Sequence, residues 1–268
     1  MTTPVLTISD LHQTFEKGTI NENHVLRGID LTMNSGDFIT IIGGNGAGKS
    51  TLLNSIAGTI PTEQGKIVLG DKEITRHSVT RRSKEISRVF QDPRMGTAVR
   101  LTVENLALAY KRGQVRGFSS GVKGKHRAFF KEKLARLNLG LENRLTTEIG
   151  LLSGGQRQAI TLLMATLQQP KLILLDEHTA ALDPKTSMTV MALTDQLIQE
   201  QQLTAFMVTH DMEDAIRYGN RLIMLHQGKI VVNIAGEEKQ SLTVPDLMAL
   251  FHQNSGTELK DDQLLLHT

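Results

Sequence analysis

The feature that most limits how this chain can fold is a short apolar segment that leads into a glycine-rich loop and then into a helix-forming segment. Phe38–Ile42 predicts a buried strand, and Lys49–Ala57, followed by Gly58, predicts a helix with a glycine cap. The loop between them fits the phosphate-binding pattern G-x-x-x-x-G-K-[ST] and consists of Gly43, Gly44, Asn45, Gly46, Ala47, Gly48, Lys49 and Ser50. This order of elements predicts an α/β fold of the P-loop NTPase type, with a mainly parallel core sheet.

The chemistry of this loop suits a nucleotide with Mg²⁺. Glycines let backbone N–H groups close around phosphate oxygens, and Lys49 offsets the charge of the β- and γ-phosphates. Ser50 is placed to bind Mg²⁺, and we expect Thr51 to contact the α-phosphate. The alternative, a glycine-rich turn without a ligand, is disfavoured by the flanking strand and helix. We therefore predict that the chain binds ATP with Mg²⁺.

A second glycine-rich helix start lies far downstream, at Ser153, Gly154, Gly155 and Gln156. Ser153 and Gln156 fit a capping box that opens a helix over Gly154–Gln168. Capping does not explain the two glycines, since glycine costs about 1 kcal/mol against alanine in a helix. A helix N-terminus without side chains is, in contrast, a ready phosphate site. Because one nucleotide does not need two such sites, the pair predicts a dimeric ATPase in which a second molecule completes the site.

Two carboxylates follow the apolar segment Leu172–Leu175. Asp176 and Glu177 are therefore expected at the carboxyl edge of a parallel sheet, where α/β proteins bind ligands. We expect Asp176 to hold the Mg²⁺ shell through water and Glu177 to act as general base toward the attacking water. The alternative, a solvated acidic turn that caps the next helix, is disfavoured by the phosphate loop in the same chain.

Length and composition exclude several classes of protein. The 268 residues suffice for one large α/β domain, and the absence of cysteine excludes disulfides and thiolate metal sites. A net charge of +2 gives no reason to expect nucleic acid. No apolar run reaches the roughly 18 to 20 residues that span a bilayer, and the N-terminus does not resemble a signal peptide. A cytosolic location is the expectation.

The remaining segments predict one domain, residues 1–235, with two additions to its core. Val5–Met33 predicts an antiparallel β region, and residues 92–158 predict a mostly helical insertion. Within and after the insertion we expect helices near Val103–Lys111 and Arg127–Leu137, a mobile basic loop over Lys111–His126, and strands at Lys171–Leu175, Thr204–Val208 and Arg221–Leu225. The basic loop could contact anionic lipid or a partner, but a solvated loop is favoured. Residues 236–268 predict a short helix near Val244–Phe251 and a polar tail.

Six segments of the chain resemble the motifs of the ATP-binding subunits of ABC transporters, in the family's order and spacing. They are the phosphate loop Gly43–Ser50, the signature Leu152–Gln156, the acidic strand end Leu172–Glu177, a Q-loop at Val89–Pro93, a D-loop at Ala181–Pro184 and a switch-histidine segment at Val208–Asp211. The resemblance covers nearly the whole chain. It implies the ABC ATPase fold, in which a mainly parallel core sheet carries an antiparallel β subdomain and a helical subdomain.

The resemblance assigns roles to three further residues. It implies that Gln91 binds Mg²⁺ and senses the γ-phosphate, and that His210 contacts that phosphate and stabilises the transition state. Phe15 takes the place of an aromatic residue that stacks on adenine. Each has a simpler alternative: Gln91 as a polar residue before a turn, His210 as a structural histidine, and Phe15 as a core residue of the β region.

The resemblance also implies partners. Two copies pack head to tail, so that Ser153 and Gly155 of one copy cover the ATP held by Lys49 of the other, with Asp183 at the interface. ATP binding closes this dimer and hydrolysis releases it. The helical insertion, joined through Gln91, receives a separate membrane-spanning permease subunit, which holds the ATPase on the inner face of the cell membrane. In an importer an extracytoplasmic solute-binding protein takes part indirectly.

One segment departs from the family pattern. After the acidic pair the family usually has Pro-Thr, whereas this chain has His178 and Thr179. The string Glu177–Asp183 resembles a bacterial uptake subgroup that is thought to serve amino acids, including tryptophan and tyrosine. His178 could tune Glu177, but we expect it to be a surface residue at a turn. Because Glu177 and His210 are both present, the departure does not argue against hydrolysis.

These features predict the ATP-hydrolysing subunit of an importer, with an amino acid such as tryptophan as candidate substrate. Two alternatives remain open: the ATPase subunit of an exporter, and a soluble ABC ATPase that acts as an assembly factor of the iron–sulfur cluster type. DNA-repair and translation versions are disfavoured, because the chain has no long heptad array and one set of ATPase motifs. Co-purification with an integral membrane protein would separate a transporter subunit from an assembly factor.

Overall fold

The computed structural model describes residues 4–106 and 124–255. The strands of these residues are β1 (Leu6–Phe15), β2 (Asn23–Met33), β3 (Phe38–Ile42), β4 (Gln64–Leu69), β5 (Lys72–Glu73), β6 (Ile86–Val89), β7 (Leu172–Asp176), β8 (Ala205–Val208), β9 (Arg221–His226) and β10 (Lys229–Ala235). The α-helices are α1 (Lys49–Ala57), α2 (Val79–Arg82), α3 (Pro93–Gly96), α4 (Gly124–Ala135), α5 (Gly154–Thr166), α6 (Pro184–Gln201), α7 (Met212–Arg217), α8 (Gly236–Gln240) and α9 (Val244–Ser255), with 3₁₀ turns at Val103–Leu106, Leu141–Asn143 and Ile149–Leu151.

Backbone contacts divide the chain into two compact units. The first unit contains the residues up to Arg82 and those from Gln202 onward, and the second unit is Ser83–Gln201. The predicted boundaries of the helical insertion, residues 92–158, and of the domain end at residue 235 stay predictions.

The first unit contains the predicted antiparallel β region. Strands β2, β1, β4 and β5 lie side by side in that order, and β1 pairs with β2 from Leu6 opposite Met33 to Phe15 opposite Asn23. Alternate residues of β1 near its start, Leu6 and Ile8, are buried, as expected for a strand with one face toward a core. The prediction for Val5–Met33 is confirmed, whereas β4 and β5 were not predicted.

Strand β3 lies between β9 and β8 and is parallel to both. All five of its residues are buried, because a parallel strand is covered on both faces. Ile41 is opposite Val208 of β8 and Ile223 of β9, so the carboxyl ends of the three strands meet at one edge. Strand β10, which the sequence did not predict, adds to β9 as an antiparallel hairpin.

The second unit contains the parallel pair β6 and β7, in which Val89 lies opposite Leu175. Helix α4 begins at Gly124, three residues before the predicted start, so the end of the predicted loop Lys111–His126 is helical and the prediction is wrong there. Residues 107–123 lie outside the described residues. They include most of the predicted loop and the second half of the helix expected near Val103–Lys111. Arg127 of α4 forms an ion pair with Glu104 (3.0 Å).

Helix α9 extends to Ser255, beyond the predicted Val244–Phe251. Its Leu247 and Phe251 are buried in a cluster that includes Ile42 at the end of β3 and Met224 of β9. The residues from 256 onward, where a polar tail was predicted, lie outside the described residues. Within the described ranges, none of the helices is both long and apolar enough to cross a membrane.

Candidate nucleotide-binding site

The glycine-rich loop connects the end of β3 to α1, and α1 has the predicted bounds Lys49–Ala57 with Gly58 as its left-handed C-cap. Two glycines of the loop are required by space and by backbone angle. A Cβ at Gly43 (φ 152°) would lie 2.3 Å from the carbonyl oxygen of Leu225, and one at Gly48 (φ 104°) would lie 2.9 Å from the Leu26 side chain. The backbone therefore curls as a phosphate loop does, with no side chain filling its turn.

Lys49 crosses this loop from the first turn of α1. Its side chain is 8% exposed, and Nζ donates to the carbonyl oxygens of Gly43 (2.5 Å) and Gly44 (3.3 Å). The ammonium group is thus held at the loop. Ser50, the next residue, is exposed, as a hydroxyl that binds a metal at the loop must be.

The end of β8 is hydrogen-bonded directly to β3 beside this loop. The backbone N–H of Thr209 donates to Ile41 O (3.0 Å), and that of Asp211 donates to Thr209 Oγ1 (3.0 Å). His210 therefore follows β8 at the same sheet edge from which the phosphate loop leaves β3. This placement fits the predicted contact of His210 with the γ-phosphate, which stays a prediction.

Phe15 is the last residue of β1 in the first unit. Its side chain is 37% exposed, so the alternative that it is a core residue is wrong. An exposed aromatic face is available for stacking, as the adenine assignment requires.

In the second unit, the ends of β6 and β7 are joined by an ion pair between Arg88 and Asp176. Arg88 Nη2 lies 2.5 Å from Asp176 Oδ2, and both side chains are about 15% exposed. The guanidinium group also lies over the ring of Phe90, 4.7 Å from its centre. One carboxylate oxygen of Asp176 is thus engaged by Arg88. Sequence reasoning missed this arginine, although a basic residue in an apolar strand indicates a buried acidic partner.

Gln91 follows β6 and is exposed. The residue before it, Phe90, accepts a hydrogen bond at its carbonyl oxygen from Gln158 Nε2 (3.2 Å). Gln158 is fully buried in α5, so the start of the predicted Q-loop is attached to the helix that begins at the signature. No pattern in the sequence indicates this contact.

The predicted capping box at the start of α5 is present. Gln156 N donates to Ser153 Oγ (3.2 Å), and Ser153 N donates to Gln156 Oε1 (3.3 Å). The two glycines, however, have a packing reason within one chain: a Cβ at Gly155 would lie 2.2 Å from Thr186 Cγ2, and one at Gly154 would lie 3.2 Å from the Leu182 side chain. Packing within one chain thus accounts for Gly155, and the predicted phosphate contact of this helix start stays a prediction.

Replacement of Gly155 by Ala tests this packing. We expect the free energy of unfolding to fall by about 1–3 kcal/mol from overpacking, although alanine is the better helix former. Thr186→Ala should remove the clash, because the next Thr186 atom, Cβ, would lie 3.7 Å from the new methyl group. Urea unfolding of the wild type, both single variants and the double variant measures the coupling, and additive effects would contradict the account. Loss of ATPase activity in a stable double variant would show that phosphate binding also needs the glycine.

The acidic pair lies where β7 ends: Asp176 is the last residue of the strand, and Glu177 and His178 begin the loop after it. Glu177 has a left-handed backbone (φ 43°). His178, predicted to be a surface residue, is 2% exposed, and its Nε2 lies 2.9 Å from Thr194 Oγ1. Burial lowers the pKa of His178 to about 4, so the ring is neutral near pH 7. The surface prediction failed because Thr194, sixteen residues away, supplies the partner that lets a polar ring be buried.

Asp183 caps α6, the helix that follows this loop. Its Oδ1 accepts a hydrogen bond from Thr186 N (3.1 Å). Hydrogen bonding from the side chain of Thr186, and then from its backbone, lowers the pKa of the Asp183 carboxyl group. Pro184 occupies the first helical position, where it needs no hydrogen-bond donor. Asp183 is exposed and thus accessible to a second chain. Its place in a dimer interface stays a prediction.

Asp214, four residues after His210, gives a pH-dependent prediction. Burial, reinforced by Asp211, raises the pKa of Asp214 to about 6 from 3.8, so the folded protein loses stability as pH rises from about 4 through 6. Asp214→Asn removes the charge, and we expect it to stabilise the protein by about 1–2 kcal/mol at pH 7.5, after allowance for partial exposure. Urea unfolding at pH 7.5 and pH 4 checks this, and an equal gain at both values would contradict it.

The predicted Mg²⁺ ligands are a hydroxyl group, an amide oxygen and a carboxylate, from Ser50, Gln91 and Asp176. Oxygen donors of this kind are what Mg²⁺ prefers, and the arginine-bound Asp176 favours contact through water over direct ligation. Among residues 4–106 and 124–255, no three His, Asp or Glu side chains are grouped in a way that could hold a metal alone. The role of Ser50, Gln91 and Asp176 as Mg²⁺ ligands stays a prediction.

Comparison with known proteins gives likenesses in sequence and in structure. The sequence model of a family described as "ABC transporter" matches residues 26–180. The chain is 42% identical to "Tyrosine transport ATP-binding protein" of Clostridioides difficile, over 92% of this chain and 98% of that protein. It is 33% identical to "Phosphonates import ATP-binding protein PhnC 2" of Haloarcula marismortui, over 85% and 84%. A solved dimer of the ATP-binding cassette MJ0796, bound to ADP and Pi, has a TM-score of 0.72 at 29% identity, covering 86% of this chain and 98% of that one. These likenesses confirm the predicted fold class.

Proposed function

The chain belongs to the ABC transporter family, and from that premise we propose that it is the ATP-binding and ATP-hydrolysing subunit of an importer. The observation that carries the proposal is the phosphate loop: Gly43 and Gly48 leave space only for backbone, and Lys49 is held across the loop by two carbonyl oxygens. A lysine fixed in this way offsets phosphate charge without first being ordered.

The proposed roles of the site residues are those that the family resemblance implies. The phosphate loop and Thr51 bind the ATP phosphates, Phe15 stacks on adenine and His210 contacts the γ-phosphate. Glu177 polarises the attacking water. Mg²⁺, bound by Ser50, Gln91 and, through water, Asp176, would neutralise charge that develops on the phosphates.

The proposed partners are a second copy of the chain and separate membrane-spanning subunits. The dimeric form of the similar cassette MJ0796 supports the first. The relatives named for tyrosine transport and phosphonate import, whose lengths this chain largely covers, support the second. Ser153–Gln156 of one copy would cover the ATP held by Lys49 of the other. Such an assembly lies at the inner face of the cell membrane, with a solute-binding protein outside.

For the substrate we propose an aromatic amino acid, tyrosine or tryptophan. Two observations support this: the 42% identical relative is named for tyrosine transport, and the string Glu177–Asp183 resembles an amino-acid uptake subgroup. Phosphonate is the competing substrate, because several relatives of lower identity are named for its import.

The test begins with purification of the tagged chain from detergent-solubilised membranes and identification of the proteins bound to it. The complex is then placed in proteoliposomes with the ATPase facing outward, its solute-binding protein in the lumen together with labelled tyrosine, tryptophan or methylphosphonate, and ATP outside. ATP-dependent release of one amino acid is expected. Recovery of the chain with soluble iron–sulfur proteins alone would contradict a transporter subunit, and transport in the opposite direction would indicate an exporter.

A further inference from the structure

The segment Glu177–Asp183, which joins β7 to α6, is attached to the interior of the second unit by one buried side chain. It is built from tight turns, in which Ala180 N donates to Glu177 O (3.0 Å) and Leu182 N donates to Thr179 O (3.0 Å). Within the segment, His178 alone is buried. The side chain directly after the proposed base is therefore the anchor of its loop.

The hydrogen bond of this anchor has a fixed direction. Thr194 Oγ1 lies 2.9 Å from His178 Nε2 and 2.8 Å from the carbonyl oxygen of Val190. A hydroxyl group has one proton, and a carbonyl oxygen can only accept, so Thr194 donates to Val190. Its oxygen must then accept a hydrogen bond from His178 Nε2–H. This bond sets both the tautomer and the orientation of the ring.

The backbone of Glu177 needs such an anchor. Its left-handed conformation (φ 43°) is unfavourable for a residue with a side chain and persists only where the surroundings enforce it. The strand before it and the buried histidine after it hold the chain on both sides. If the histidine were released, the segment would be free to relax and the Glu177 carboxylate would move.

We propose that His178 is a positioning residue for ATP hydrolysis, which holds Glu177 in its catalytic orientation through a hydrogen bond to Thr194 of α6. The proposal rests on the proposed function, since it takes Glu177 as the general base. It also links Glu177 to α6, the helix that Asp183 caps.

A positioning role predicts an effect on the chemical step and not on ATP binding, because the phosphate loop belongs to another segment of the chain. Thr194→Val removes the acceptor while keeping the shape of the side chain, and Thr194→Ser keeps the acceptor. Thr189 provides a matched control: it lies on the same helix, is exposed, and donates in the same way to Lys185 O (3.1 Å). Thr189→Val thus loses an equal helix contact without affecting His178.

The experiment measures kcat and KM for ATP in the assembled transporter carrying each variant, with thermal unfolding of each isolated chain. For Thr194→Val we expect kcat to fall between about 10- and 100-fold with KM changed by less than about twofold. Thr194→Ser and Thr189→Val should stay near the wild type. Histidine labelled with ¹⁵N should show a protonated Nε2 at His178 in the wild type and in Thr194→Ser, assigned by its absence in His178→Gln.

Several results would overturn the proposal. The proposal is wrong if a folded Thr194→Val variant has the wild-type kcat, or if Thr189→Val loses as much kcat as Thr194→Val does. It is also wrong if a rise in KM accounts for the whole loss of kcat/KM. If Thr194→Val does not fold, His178→Gln decides: the Gln amide N–H can reach the same hydroxyl, and its kcat should exceed that of His178→Leu. Absence of ATPase activity in the wild type would contradict the proposed function instead, so the two failures are distinguishable.

Discussion

Replacing Glu177 by Gln should lower ATP turnover by about 100- to 10,000-fold while leaving ATP binding intact, as removal of a general base does. The amide has the shape of the carboxylate but cannot take a proton from water. Because the amide keeps this shape, the loop, with the left-handed backbone of Glu177 and the buried side chain of His178, should keep its conformation. ATP is then bound but not consumed.

Phosphate release measures turnover, and gel filtration with ATP detects the dimer, which the variant should retain because hydrolysis no longer opens it. The matched control is Glu200→Gln, an exposed carboxylate of α6 in the same unit, which should turn over at the wild-type rate. Full turnover by Glu177→Gln would reject Glu177 as the base.

Replacing Lys49 by Met should weaken ATP binding by about 10- to 150-fold, which corresponds to the loss of charge-assisted hydrogen bonds worth about 1.5–3 kcal/mol. Methionine keeps an apolar stem of similar length in this buried position but has no ammonium group. The substitution also removes the two hydrogen bonds to the carbonyl oxygens of Gly43 and Gly44. Part of the lost ATP affinity therefore comes from a phosphate loop whose conformation is less well fixed.

Displacement of a fluorescent ATP analogue gives the affinity. Lys229→Met, which changes an exposed lysine at the start of β10, should bind as the wild type does. An unchanged affinity of Lys49→Met would contradict the assignment of the loop as the phosphate site.

The parts of the fold and site that follow from consecutive residues could be predicted from the sequence. The bounds of α1 and the capping box of Ser153 and Gln156 were correct, because each depends on neighbours within one or two turns. The antiparallel pairing of Val5–Met33 was correct because the turn between its two strands is also local.

The errors and omissions share a different cause: they depend on residues far apart in the chain. His178 is buried because Thr194 accepts its hydrogen bond, and Gly155 is required because α6 brings Thr186 against it. Arg88 meets Asp176 across 88 positions. A short-range pattern contains no information on such partners, so His178 was expected at the surface, and neither the contact of Gly155 with Thr186 nor that of Arg88 with Asp176 was predicted.

We propose that each ATP site is completed by a second copy of the chain. It is tested with two variants, both in the Glu177→Gln background so that bound ATP is retained. Lys49→Met impairs the phosphate loop. Ser153→Asp keeps a good helix cap but places a negative charge where the γ-phosphate of the other copy is expected, and Ser153→Asn is its neutral control.

Mixed dimers of Lys49→Met and Ser153→Asp chains are isolated through two different tags, and the ATP retained by each dimer is counted. If the site forms between copies, the mixed dimer has one site in which Lys49 and Ser153 are both intact, and it should retain one ATP where neither homodimer retains any. If each chain completes its own site, every site in the mixed dimer carries a defect. The shared site is contradicted if the mixed dimer with Ser153→Asp retains no ATP while the mixed dimer with Ser153→Asn retains it.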